Sequence, residues 1–180
     1  MADGGVWLAS QLLLRSFSVA LGEGPDRFAR HATKTPSQLR LIHYPYNADA
    51  EDREGVGAHS DYECFTLLKP TAPGLEVLNG AGEWIGAPPI PGTFVVNIGD
   101  LMMHWTNDRW ISTLHRVVNP PRDAKLGTGR LSLAFFHQPN YDALIECLPS
   151  CRGPGNPAKY PPVTSGEHRN RKFAATTVAP

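Results

Sequence analysis

Arg130-Leu131-Ser132-Leu133-Ala134-Phe135-Phe136-His137 is a run of apolar residues that carries a guanidinium and a hydroxyl two positions apart. In a β-strand successive side chains point to opposite faces, so Arg130 and Ser132 share one face of a strand here. Segments of similar character lie upstream, at residues 39–44, 65–68, 75–78, 93–98 and 113–118. Pro and Gly punctuate them at 70–74, 80–82, 88–92 and Pro120-Pro121, drawing on 17 prolines and 17 glycines in 180 residues. Short β segments separated by turn signals are the pattern of an all-β sandwich or barrel. A helical pattern precedes them at 6–22, with a second stretch at 25–31. The expected fold is mainly β: a double-stranded β-helix, or jelly roll of the cupin kind, with one or two N-terminal helices and an irregular C-terminal tail. The expected organisation is a helical segment at 1–34, a jelly-roll domain at 35–150, and a Pro-rich, then polar and basic tail at 151–180. No internal repeat is evident.

Two further segments carry chemistry. His59-Ser60-Asp61 repeats the i, i+2 spacing, which lets both side chains reach one point from one strand end. His115, in Ser112-Thr113-Leu114-His115-Arg116-Val117, lies far downstream and must come from another strand. Two imidazoles and one carboxylate form the ligand set of a facial triad, which holds Fe(II) on one side and leaves three positions open. An H-x-D pair alone is a weak signal, and a lone histidine is more often a satisfied core or surface residue. Arg130 and Ser132 strengthen the reading. A guanidinium fork with a neighbouring hydroxyl suits the distal carboxylate of a dicarboxylic co-substrate.

At this point the chain resembles the C-terminal catalytic region of the 2-oxoglutarate and Fe(II)-dependent oxygenases of the isopenicillin N synthase-like family. The matching stretches run from Leu39-Arg40-Leu41-Ile42-His43-Tyr44-Pro45 through Gly57-Ala58-His59-Ser60-Asp61 and Val95-Val96-Asn97-Ile98-Gly99-Asp100. They continue through Trp105-Thr106-Asn107-Asp108 and Ser112 to Val118, and end with Arg130 to Asn140. Order and spacing agree as well as residue type. The resemblance implies that His59, Asp61 and His115 ligate iron. It implies that Arg130 and Ser132 bind the C5 carboxylate of 2-oxoglutarate, and that Tyr44 lies near that co-substrate. Ile42 stands where some relatives carry Asn, which removes a polar contact there. The implied activity is hydroxylation or desaturation of a small organic molecule, using Fe(II), 2-oxoglutarate and O2 and releasing succinate and CO2, with ascorbate as a supporting reductant. Family members are usually much longer, and this chain begins at about the helix that leads into their catalytic half.

Composition narrows the classes. Seventeen basic residues balance 17 acidic ones, and no basic patch of the kind that tracks nucleic acid is present. No apolar run approaches a membrane span, and the start Met1-Ala2-Asp3 lacks a secretory signal pattern. Cys64, Cys147 and Cys151 are an odd number, so the chain is not a disulfide scaffold, and free thiols suit a reducing, cytoplasmic setting. The expected partner is a small-molecule substrate.

Other residues have plainer readings. Trp84, Phe94, Val96, Phe135 and Phe136 read as core. Asn97 to Asp100 reads as a turn, with Gly99 relieving the backbone and Asp100 bonding locally. Glu63 reads as a pocket-mouth residue or, more simply, a solvated edge charge. Tyr62, Trp105 and His137 are candidates for the substrate wall. Two alternatives stand beside the oxygenase reading. One is an iron oxidase of isopenicillin N synthase or ethylene-forming type, in which the Arg/Ser clamp holds another carboxylate. The other is an inactive, truncated jelly-roll remnant. A cupin-like zinc or manganese protein is weaker, because it leaves the clamp without a purpose.

Overall fold

The computed structural model describes residues 3–45, 54–118 and 129–177. Eight strands form two four-stranded antiparallel sheets. The first runs, in spatial order, β1 (Gln38–Tyr44), β8 (Arg130–His137), β3 (Phe65–Pro70) and β6 (Val95–Ile98). The second runs β2 (Glu54–His59), β7 (His115–Val118), β4 (Leu75–Leu78) and β5 (Trp84–Gly86). The chain passes repeatedly from one sheet to the other, which is the jelly roll expected from the sequence.

Along β8 the usual alternation is inverted. Arg130 and Ser132 are the buried residues, whereas Leu131 and Leu133 face outward. A buried charge on a strand is the informative exception to apolar burial. The register pairs Tyr44 with Arg130 and Ile42 with Ser132, so these four share the inner face of the first sheet.

The outer face of that sheet packs, at one end, on a helix. In α1 (Asp3–Ala20) the residues Val6, Ala9, Leu13, Leu14 and Phe17 recur with three- and four-residue spacing and meet Phe65, Leu67 and Phe135 in the core. Ser10 and Ser18 are fully buried on this stripe, and each hydroxyl bonds back to a carbonyl of its own helix. Gly22, with φ of 74°, ends the helix. Glu23 N–H returns to Ser18 O and Gly22 N–H to Val19 O, which satisfies the last carbonyls in a Schellman arrangement. Leu39, Leu41, Leu131 and Leu133 continue the outer face as exposed apolar side chains.

Four elements depart from the sequence expectation. The segment at 25–31 forms only a 3-10 turn at Ala29–His31. Strand β2 contains Gly55 and Gly57, which argue locally against a strand, and it forms through irregular pairing with β7. The expected turn at 97–100 instead opens a helix, α2 (Asp100–Trp105). The basic part of the tail is helical too, in α3 (Ser165–Thr177). Its start carries a capping box: Glu167 N–H donates to Thr164 Oγ1, and Thr164 N–H donates to Glu167 Oε2. Just before it, β10 (Val163–Thr164) pairs with β9 (Leu144–Ile145), which brings the tail back onto the body. The Pro120-Pro121 punctuation and the last three residues of the tail lie outside the described residues.

Cys64, Cys147 and Cys151 are free and buried. No helix among the described residues is long and apolar enough to cross a membrane.

Candidate active site

His59 ends β2, His115 begins β7, and the two are direct cross-strand partners. Their rings stand 4.3 Å apart, centroid to centroid. Each ring is oriented by its own backbone: Nδ1 of His59 donates to Gly57 O at 2.8 Å, and Nδ1 of His115 donates to Thr113 O at 3.1 Å. That fixes the tautomer and leaves both Nε2 lone pairs for a metal. The two Nε2 atoms lie 3.9 and 3.6 Å from Asp61 Oδ1, and the three ligand atoms fall within 4.8 Å of one another.

Asp61 does not share a strand with His59. It sits in the segment crossing from β2 to β3, and its place is set by long-range bonds. Thr66 Oγ1 on β3 and Asn97 Nδ2 on β6 both donate to Asp61 Oδ2, at 2.6 and 2.7 Å. Oδ1 is thereby left facing the histidines. Two imine lone pairs and a carboxylate oxygen converging on one point repel one another unless a cation lies between them. One hard oxygen and two imidazole nitrogens are the donor set of the Fe(II) facial triad.

The start of α2 supports this segment from behind. Asp100 N–H donates to Asp61 O at 2.8 Å, Leu101 N–H to Glu63 O, and Gly99 N–H to Cys64 O. The contact is so close that a Cβ on Gly99 would lie 2.2 Å from Glu63 O. Glycine is required here for close approach, since the Gly99 φ is an ordinary −103°. Asp100 does not bond locally as a turn residue would. Its carboxylate takes Lys172 Nζ at 2.7 Å and lies 3.7 Å from His168 Nε2, so it fastens α3 to α2. Burial pushes the Asp100 carboxyl up, but the neighbouring His168, Lys172 and Ser112 outweigh it and hold the group well below the ordinary carboxylate range.

The second polar group of the site is the clamp. Arg130 is 1% exposed, its Nε donates to Ala72 O, and its guanidinium stands 4.8 Å over the Tyr44 ring. Burial lowers its pKa from the usual arginine value. Both terminal nitrogens of Arg130 and the hydroxyl of Ser132 are buried without a hydrogen-bond partner among the described residues. A buried cation with two idle donor groups is costly. A carboxylate satisfies both donors at once in bidentate fashion, and the adjacent hydroxyl adds a third bond. The residues present therefore fit both the metal and a dicarboxylic co-substrate.

Triad and clamp line one cavity of about 400 Å³ between the two sheets. Three expected wall residues are not part of it. Trp105 is 2% exposed and packs on Phe28 in the core under α1. His137 is fully buried and stacks on Phe65, outside the cavity, because its odd position on β8 turns it to the α1 side. Tyr62 lies against Phe173 of α3. Phe136, read from sequence as core, does line the cavity, and so do Arg40 and Ile42. Strand parity identifies all three: 136 keeps phase with 130 and 132, and 40 and 42 keep phase with 44. Glu63 is half-buried rather than solvated; burial first, and nearby Asp61 second, push its carboxyl up to about 7.

Comparison with known proteins finds relatives over nearly the whole of this chain. The family model described as the 2OG-Fe(II) oxygenase superfamily matches residues 35–139. The chain is 42% identical to homoarginine-6-hydroxylase 2-ODD-233 of Oryza sativa subsp. japonica, over 94% of this chain and 52% of that protein. Among solved structures it is similar to a putative 2OG-Fe(II) oxygenase family protein from Caulobacter crescentus, with TM-score 0.85, 35% identity, and 96% of this chain and 58% of that one covered. A full-length Neurospora crassa protein, solved in complex with alpha-KG and 5-formyluracil, gives TM-score 0.85 at 34% identity, covering 93% of this chain and 56% of that one. The chain spans about half the length of the curated relatives it matches.

Proposed function

The chain belongs to the 2OG-Fe(II) oxygenase superfamily, and from that premise we propose that it forms the catalytic part of an enzyme that hydroxylates or desaturates a small organic molecule. His59, Asp61 and His115 would hold Fe(II), and Arg130 with Ser132 would hold the far carboxylate of 2-oxoglutarate. When bound, the metal and co-substrate supply oxidation of a C–H bond by dioxygen, coupled to release of succinate and CO2. The protein's own part is placement. Gly57 and Thr113 carbonyls aim the imidazoles, and Thr66 with Asn97 leaves one Asp61 oxygen for the metal. The Arg130 guanidinium and the Ser132 hydroxyl would hold the co-substrate by its far carboxylate. No side chain is needed to shuttle a proton, and none in the cavity is assigned to do so.

The observation that carries the reading is the pairing, in one cavity, of a convergent triad with a buried arginine whose terminal donors are idle. The test is succinate release from 2-oxoglutarate under air, with and without a second substrate. Homoarginine is the first probe, because relatives at 36–42% identity are named for its 6-hydroxylation. Succinate formed in step with an oxidised second substrate supports the reading. Substrate oxidation without 2-oxoglutarate consumption moves the assignment to an iron oxidase.

A further inference from the structure

We propose that the tail helix α3 is a positioning element of the metal site: Lys172 and Phe173 brace the segment that carries Asp61, so that docking of α3 sets how tightly the triad holds its ion. The proposal rests on the metal reading above and extends it to residues outside the cavity. It starts from an imbalance. No residue of α3 belongs to the apolar core among the described residues, yet the tail is fastened to α2 at several points.

The fastening begins at the far end of α2. Asn107 and Asp108 follow that helix with φ of 52° and 65°, in the left-handed region that Asn and Asp enter more readily than other side chains. Asn107 Nδ2 donates to Pro157 O at 3.0 Å, and Asn107 Oδ1 accepts Lys159 N–H at 2.9 Å. Asp108 accepts Lys159 Nζ at 2.8 Å and Tyr160 Oη at 2.5 Å, and the Tyr160 ring stacks on His104 with centroids 3.9 Å apart. The tail then runs through β10 into α3 and returns to the start of α2, where Lys172 Nζ meets Asp100 Oδ2 at 2.7 Å. The tail thus holds α2 at both ends.

The start of α2 is also where the Asp61 segment is fixed. The backbone amides of Gly99, Asp100 and Leu101 donate to carbonyls of Cys64, Asp61 and Glu63. Ser112, a neighbour of the Asp100 carboxylate, donates its hydroxyl to Asp61 O at 3.3 Å and stands three residues before His115. By a separate contact, the Phe173 ring lies edge-on to Tyr62, the residue after Asp61, with centroids 5.4 Å apart. Two successive residues of one helix therefore reach the Asp61 segment by two routes, one polar through Asp100 and one apolar through Tyr62. Asp100 is buried, and removing the partner of a buried charge is costly unless the carboxylate moves or takes a proton. A shift of Asp100 carries Asp61 with it through the shared backbone bonds. A site of this kind needs its ligands held to within about 0.5 Å.

The test compares wild type with Lys172→Met, Lys172→Arg, Phe173→Ala and, as control, Arg171→Met, which removes an exposed cation from the same helix. Each apoprotein is first shown to be folded by circular dichroism and a melting curve. Calorimetry then measures Fe(II) binding without oxygen, and Co(II) is added separately as a probe whose visible bands report ligand geometry. Lys172→Met and Phe173→Ala are expected to bind Fe(II) about tenfold more weakly, with altered Co(II) bands. Lys172→Arg is expected to keep most of the wild-type affinity and Arg171→Met all of it. Should Lys172→Met not fold, Phe173→Ala carries the comparison, because its ring is partly exposed and its loss strands no buried charge. A folded Lys172→Met or Phe173→Ala with unchanged Fe(II) affinity and unchanged Co(II) bands overturns the proposal, even if its melting temperature falls. So does an Arg171→Met loss equal to that of Lys172→Met, or a Lys172→Arg as weak as Lys172→Met. A folded wild type that binds neither ion overturns the metal reading, and this proposal with it.

Discussion

Asp61 is held by hydrogen bonds to only one of its two oxygens, and that asymmetry leaves the other oxygen open to a metal. Thr66 and Asn97 both occupy Oδ2, and the residue is 5% exposed, so Oδ1 has little to face but the two imidazoles. Groups that orient a ligand in this way typically change metal affinity by about 10–100-fold when removed. Thr66→Val keeps the shape and removes one bond. It should weaken Fe(II) binding by about tenfold in an anaerobic titration while leaving the fold intact, and equal affinity would show that Asn97 alone sets the carboxylate. That His59, Asp61, His115, Arg130 and Ser132 share one cavity is legible in the sequence, because their types and spacing are chemically specific. Thr66 and Asn97 were not, since nothing local marks a hydroxyl or an amide as the partner of a carboxylate 5 or 36 residues away.

Among the elements, α2 shows where local reading fails. Asn97-Ile98-Gly99-Asp100 has turn chemistry, yet the peptide amides at 99–101 are spent on carbonyls of the segment that carries Asp61. Gly99 is small because the two backbones nearly touch. Gly99→Ala should therefore destabilise the protein by about 2 kcal/mol or more, as overpacking against backbone does. Gly80→Ala, where a Cβ meets nothing within 4 Å, should unfold within about a degree or two of wild type. Equal melting temperatures for the two variants would refute the close-approach account. Helix α3 is the opposite case. Its capping box, Thr164-Ser165-Gly166-Glu167, is written in the sequence, but the basic residues that follow read as solvated charge. The helix docks because Lys172 and His168 reach the buried Asp100, a contact that no local pattern announces.

For the molecule as a whole, the two sheets do different work: the space between them is a chamber, and the dense apolar core lies outside it, under α1. This division explains why the jelly roll was legible from strand spacing while the wall residues were misassigned. His137 belongs to the core side, where burial pushes its pKa down to about 4. The folded protein then binds fewer protons than the unfolded chain between about 4 and 6.5. Stability present above about pH 6.5 is lost as pH falls toward 4, by roughly 3 kcal/mol for this group. His137→Phe retains the ring and removes the titration. Urea unfolding at about pH 7 and pH 5 should show a smaller acid loss in that variant than in wild type, and an equal loss would mean that the imidazole does not titrate on unfolding. The central claim joins triad and clamp in one chamber, and the most direct measurement is anaerobic addition of Fe(II) and then 2-oxoglutarate to wild type, Asp61→Ala and Arg130→Ala. The account predicts a visible charge-transfer band in wild type, none in Asp61→Ala, and in Arg130→Ala a band that needs far more 2-oxoglutarate although Fe(II) binds nearly as before. A band of wild-type strength in Asp61→Ala, or unchanged 2-oxoglutarate affinity in Arg130→Ala, would contradict it.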